Sequence, residues 1–170
     1  MILENGGLAI YGGLAFGAIA IIINCKIRKK GTLNLFDYII PYVALCQCFG
    51  RFGNFFNIEA YGYETTSILR MGITTLQGYK EVHPTFLYES ISTFIIFIIL
   101  RNMQKKRQYK GQILLWYGIL YSTIRFLIEG MRTDSLMFFN FRISQILSIF
   151  ILIFSMCILL YKNKKSSVSK

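Results

Sequence analysis

The run Gly50-Arg51-Phe52-Gly53-Asn54-Phe55-Phe56-Asn57-Ile58-Glu59 sets an arginine, two amides and a carboxylate at the end of an apolar segment. Polar side chains at that depth are expensive in lipid, so they point to a task. An arginine two residues from a glycine offers a bidentate anion clamp on backbone that can approach a ligand closely, and phosphate is the natural ligand. A second group, Arg125, Glu129 and Arg132, is spaced by four and three and shares one face of a continuous helix. On a solvated helix this would be an ion pair worth only about 0.3–0.5 kcal/mol. Arg125 follows a long, nearly uncharged stretch, however, which favours a bundle interior or a water-filled cavity. The third group is His83-Pro84-Thr85-Phe86-Leu87-Tyr88-Glu89. Its proline suits a first helical turn, which places Thr85, Tyr88 and Glu89 near that helix's start. His83, the single histidine, reads either as a structural hydrogen-bonding residue or as a catalyst. Near the amino terminus, the glycines between Gly6 and Gly17 either let helices pack closely or, at Gly12 and Gly13, open space for a ligand beside the Tyr11 hydroxyl.

These residues need elements to hold them, and composition names the elements. Of 170 residues, 54% are hydrophobic and only 16% charged, which places the chain among integral membrane proteins as an all-α polytopic helix bundle. Apolar stretches at about 8–25, 35–50, 85–100, 113–128 and 143–161 each approach the roughly 20 residues of a spanning helix, giving about five. One membrane-embedded domain over 1–170 is expected. The formal charge of +11 does not indicate nucleic acid here, because the cations lie in short loops: Lys26, Arg28, Lys29 and Lys30; Arg101, Lys105, Lys106, Arg107 and Lys110; Lys162, Lys164, Lys165 and Lys170. That alternation puts the amino terminus outside and the carboxyl terminus in the cytoplasm, with a basic tail at 162–170 against anionic headgroups. The acids Glu4, Glu59, Glu64, Glu81, Glu89, Glu129 and Asp134 fall on or near the outer side, so chemistry faces outward. The positive cluster follows the first apolar segment and no small-residue cleavage site is apparent, so that segment reads as a retained helix.

The longest polar connection, at about 51–84, has the length of a functional loop. Cys25, Cys46, Cys48 and Cys157 lie in or beside apolar stretches and read as small hydrophobes, with no metal set among them. No residue stands out as an enzyme nucleophile, which favours direct transfer between two bound substrates. In such a reaction Arg125 would stabilise charge on a departing phosphate, and Glu129 would orient Arg125 or accept a proton.

At these residues the sequence resembles bacterial prolipoprotein diacylglyceryl transferases. The Gly50–Glu59 signature with Gly62, the His83–Glu89 motif and the Arg125–Arg132 motif occur in family order, preceded by Tyr11-Gly12-Gly13-Leu14, and the similarity runs from about Gly6 to Leu160. The resemblance implies an enzyme of the bacterial plasma membrane that moves the diacylglyceryl group of phosphatidylglycerol to the lipobox cysteine thiol of a prolipoprotein, without a cofactor. Glycerol phosphate would leave. It implies that Arg51 and Asn54 bind the headgroup, with Asn57, Glu59, Gly62 and Arg132 completing the substrate site. Arg125 and Glu129 would act at the reacting carbon, and Tyr11 and His83 would stand beside them as catalytic candidates.

Many members carry histidine where this chain has Tyr11, and a phenol is a poor base at neutral pH unless perturbed, which leaves the base open. Members also usually carry about two further helices before the glycine-rich motif. A shortened chain has a second reading, as a non-catalytic phospholipid-binding membrane protein. A transporter would need polar residues along its whole path, and the cytoplasmic halves of these segments nearly lack them.

Overall fold

The computed structural model describes residues 6–75, 78–133, 137–138 and 141–168, apart from the side chains of 6–11, 14, 137–138, 141 and 165–168. Each of the five apolar stretches forms a helix longer than the stretch itself: α1 Gly6–Ile27, α2 Thr32–Phe56, α3 Thr85–Gln104, α4 Gln112–Glu129 and α5 Ile143–Val168. Of these, Thr32–Phe56, Thr85–Gln104 and the Ile143–Lys164 part of α5 are long and apolar enough to cross a bilayer. Helix α4 has 18 residues and carries Arg125 and Glu129.

Helices α2, α3 and α4 pack on one another, and α5 lies along α4. Ile40, Ala44, Ile96, Leu100 and Ile113 form their apolar centre. Gly118 admits α5 closely, since a Cβ there would run into the Ser155 side chain. The glycines of α1 make no such crossing among the described residues: a Cβ at Gly12, Gly13 or Gly17 would meet nothing within 4 Å.

Polar groups gather in two layers, one at each end of this centre. At the end where α2 begins, Asp37 is 1% exposed. Its Oδ2 accepts from the backbone N–H of Gly111 at 2.6 Å and Oδ1 from that of Leu114 at 3.0 Å, so a residue of α2 caps α4, which has no side-chain cap of its own. Gly111, at φ +89°, provides the left-handed turn this needs. Arg107 then ties Asp37 Oδ2 (3.2 Å) to Asn34 Oδ1 (2.9 Å). Burial, and after it the Asp37 charge, raise the nearby Tyr109 hydroxyl above its usual pKa. The other layer contains Arg51, about 21 Å farther along α2 at 1.5 Å per residue.

The expected loop at 51–84 is shorter and more ordered than its composition implies. Helix α2 runs on to Phe56, and a β-ribbon takes up much of the remainder. Strands β1 (Met71–Thr75) and β2 (Gly78–Val82) pair antiparallel from Met71↔Val82 to Thr75↔Gly78, with Ile73 and Val82 turned inward. Tyr61–Thr65 continues the ribbon through Gly62 N–H to His83 O (3.0 Å), His83 N–H to Tyr63 O (3.0 Å) and Thr65 N–H to Glu81 O (2.9 Å). Residues 131–133 add to its other edge through Tyr63 N–H to Met131 O (3.1 Å) and Thr133 N–H to Tyr61 O (3.3 Å). Two further short strands, β3 (Met137–Phe138) and β4 (Phe141–Arg142), pair before α5. On the ribbon surface Lys80 pairs with Glu64 at 2.8 Å, and that hydrogen bond holds the Lys80 ammonium above its usual pKa. The all-α class thus describes the spanning body, and the ribbon lies across one end of it.

Asp37→Ala removes both the α4 cap and the partner of Arg107. It should lower stability by on the order of 3 kcal/mol, read as reversible unfolding in mixed micelles by circular dichroism. An unchanged transition would exclude the cap as a structural tie.

Candidate active site

Glu89 lies on the second turn of α3, aligned by the Pro84 start of that helix, and is 2% exposed. One of its oxygens, Oε1, accepts from Arg51 Nη2 of α2 at 2.9 Å and from Arg125 Nη1 of α4 at 2.8 Å. The second guanidinium nitrogen of Arg125 lies 2.7 Å from Glu129 Oε2, an ion pair rather than an aligned hydrogen bond. Arg132 Nη1 stands 4.0 Å from the same oxygen. The result is one buried chain, Arg51–Glu89–Arg125–Glu129–Arg132, that joins α2, α3 and α4. Arg142 closes it from β4 by donating to the Glu129 carbonyl and, at 2.6 Å, to the Tyr63 hydroxyl.

The three sequence motifs therefore meet: the Arg125–Glu129 and Glu129–Arg132 contacts follow the spacing of four and three, and Glu89 joins them to Arg51. Helix α4 ends at Glu129, so Arg132 lies beyond it. It reaches Glu129 because a turn, with Arg132 N–H to Glu129 O at 3.3 Å, carries the chain back. Gly62 faces Arg132 in a β-bridge, and a Cβ on Gly62 would lie 2.8 Å from that of His83 and 3.1 Å from Met131 O. Close backbone approach explains the glycine there. His83 Nδ1 is 3.2 Å from the Tyr88 hydroxyl, so this side chain links the ribbon to α3, while the side chain of Tyr11 lies outside the described residues.

The amides form the more exposed part of the site. With its amide oriented to satisfy both neighbours, Asn54 accepts from Arg51 Nη1 and donates to Glu59 Oε1, each at 3.3 Å. Asn57 Nδ2 also donates to Glu59 Oε1, at 3.3 Å. Open space surrounds Gly50 and Gly53, where a Cβ would meet nothing within 4 Å. Phe86 packs on Phe52 and Phe55, with ring centroids 5.9 and 5.0 Å apart, and so fixes the end of α2 against the start of α3. Glu59 itself sits between Ile58 (φ +53°) and Ala60 (φ +57°), a backbone that L-residues enter at a cost. Thr85 holds this turn by donating to the Ala60 carbonyl.

The spacing argument missed Glu89 as the hub, although a carboxylate inside an apolar helix was a usable signal. It missed Arg142, for which the sequence offers no local signal, and the Tyr117 hydroxyl donating to Gln47 Oε1 at 2.9 Å, one turn below Arg51. Among the described residues, three guanidiniums converge on two buried carboxylates, and a fourth, that of Arg142, binds the Glu129 backbone carbonyl. With exposed Glu59 counted, the layer still keeps net positive charge, beside an open glycine edge. Such a site can hold an anion and stabilise negative charge that develops there.

Glu89→Ala takes from Arg51 its carboxylate partner and leaves Arg125 with Glu129 alone, and should destabilise the protein by about 3–5 kcal/mol, whereas exposed Asn57→Ala should stay within about 0.5 kcal/mol. Unfolding titrations in micelles compare them, and equal effects would refute the hub. Ile58→Gly should stabilise the fold by about 1–2 kcal/mol, because it relieves a β-branched residue of a left-handed conformation at a half-exposed position. A lowered unfolding midpoint for that variant would contradict the strain.

Comparison with known proteins gives the same grouping. The sequence model of the family described as prolipoprotein diacylglyceryl transferase matches residues 1–161. The phosphatidylglycerol–prolipoprotein diacylglyceryl transferase of Finegoldia magna is 46% identical over 167 residues, covering 98% of this chain and 65% of the relative. That of Clostridioides difficile is 46% identical over 163 residues, 96% of this chain and 64% of the relative. That of Streptococcus pneumoniae is 42% identical over 170 residues, 96% and 64% respectively. The chain thus spans somewhat less than two thirds of the length of these relatives. It belongs to the prolipoprotein diacylglyceryl transferase family.

Proposed function

We propose that the chain transfers the diacylglyceryl group of phosphatidylglycerol to the lipobox cysteine thiol of a prolipoprotein, releasing glycerol phosphate. In this reading the cysteine sulfur attacks the glycerol carbon that carries the phosphate, the carbon–oxygen bond breaks, and its electron pair leaves on the phosphate. Arg51 and Asn54 hold the headgroup phosphate at the open Gly50–Gly53 edge, with Asn57, Glu59, Gly62 and Arg132 shaping the rest of the substrate site. Arg125 meets the charge that grows on the leaving oxygen. Glu129, paired with Arg125 at 2.7 Å, is better placed to orient that guanidinium than to take a proton. The thiol proton passes to a base for which His83 and Tyr11 are the candidates.

The observation that carries this reading is the buried Arg51–Glu89–Arg125 bridge, which holds two guanidiniums in fixed register beside open space. In this reading the chain is a single domain of the bacterial plasma membrane, and charge alternation along it supports an amino terminus outside and a carboxyl terminus in the cytoplasm.

The whole chain in nanodiscs with labelled phosphatidylglycerol and a lipobox peptide should form the thioether. Arg125→Gln should slow it by about 10²–10³-fold while lipid is still retained. No product where a full-length relative forms it, or full rate in Arg125→Gln, would overturn the reading and favour a lipid-binding protein without turnover.

A further inference from the structure

At the other end of the bundle from Glu89, a cavity of about 340 Å³ opens between the start of α2 and the end of α3. Arg101, Lys105 and Arg107 line it, with Asp37 and Asn34 at Arg107 and Tyr38 at the rim. The only carboxylate in this lining is Asp37, whose charge is already held by two backbone N–H groups and Arg107. Arg101 donates to Gln104 Oε1 at 2.8 Å and rests over the Tyr42 ring at 5.8 Å, and neither contact neutralises it. Three cations against one satisfied carboxylate leave the cavity net positive. The first turn of α2, without a side-chain cap, adds a favourable dipole.

An aromatic ladder leads away from this cavity along the α2–α3 seam. Tyr38 and Tyr42 lie 6.1 Å apart, Tyr42 and Phe97 6.2 Å, and Phe97 and Phe94 6.2 Å. Phe94, Phe97 and Arg101 share one face of α3 by their spacing, so the ladder runs from a guanidinium into the apolar zone over roughly 10 Å. Tyr38, Tyr42 and Phe94 are exposed along it. A free phosphate would use the cations and leave the ladder uncovered. A phospholipid would use both, with its phosphate among the cations and an acyl chain on the rings.

We propose that this cavity and ladder form a second phospholipid site, selective for an anionic headgroup and separate from the Glu89 layer. A photoreactive diazirine phosphatidylglycerol in nanodiscs with the full chain tests it. Labelling should map to peptides covering 34–42 and 94–107, and should exceed that by the matching phosphatidylcholine probe. It should fall roughly tenfold or more in the double variant R101Q/K105Q, which keeps Arg107 and the Asp37 cap, while labelling near 51–59 stays the same. Excess soluble glycerol phosphate should not protect the site. Equal labelling by the two lipids, or undiminished labelling of a folded R101Q/K105Q, would overturn the proposal. Loss of labelling with glycerol phosphate would identify a solute phosphate site instead and overturn it as well. The comparison of the two lipids uses the unaltered protein, so the test stands even if the variant fails to fold.

Discussion

One oxygen of Glu89 holds two guanidiniums that arrive on two different helices. Away from bulk water, an unpaired charge of either sign would be strongly unfavourable, so the three groups can be buried only together. That constraint fixes the rotation of α2, α3 and α4 about their axes, because only one orientation of each points Arg51, Glu89 and Arg125 at a common place. The apolar centre formed by Ile40, Ala44, Ile96, Leu100 and Ile113 tolerates small rotations, whereas a 2.8 Å ion pair does not. Specificity of packing thus comes from the polar layer and close van der Waals contact from the apolar one.

The ribbon depends on the same layer. Residues 131–133 pair with Tyr61 and Tyr63 just after Glu129 enters the ionic chain, and Arg142 binds both the Glu129 carbonyl and the Tyr63 hydroxyl. The short strands could not stand alone in water, and here they are tied to helix ends that charge has already positioned. His83 and Thr85 connect the ribbon to the start of α3, which delivers Glu89 to its partners.

The five helices were legible in the sequence because apolar runs of that length admit few alternatives in a membrane protein. The ribbon was not, since Met71–Thr75 and Gly78–Val82 are short, lie in polar surroundings and include glycines that weaken the alternation. Residue types gave the members of the site: an arginine, amides and carboxylates at apolar depth are conspicuous. Their pairing was hidden, because Arg51 and Glu89 lie 38 positions apart and only topology brings them together. Helical spacing joined Arg132 to Glu129 correctly but assumed a helix that stops at Glu129, and the contact survives through the turn that follows.

The two polar layers lie only about 21 Å apart along α2, while the hydrocarbon of an ordinary bilayer is about 30 Å thick. If the Asp37 layer rests at one interface, the Glu89 layer is therefore submerged by several ångströms below the other. The surrounding membrane meets this hydrophobic mismatch by thinning at the protein's perimeter or by admitting water down to the arginines. Either response draws neighbouring headgroups toward the buried charges, so the shortness of the apolar slab brings lipid phosphate closer to Arg51 and Arg125 before any side chain has to move.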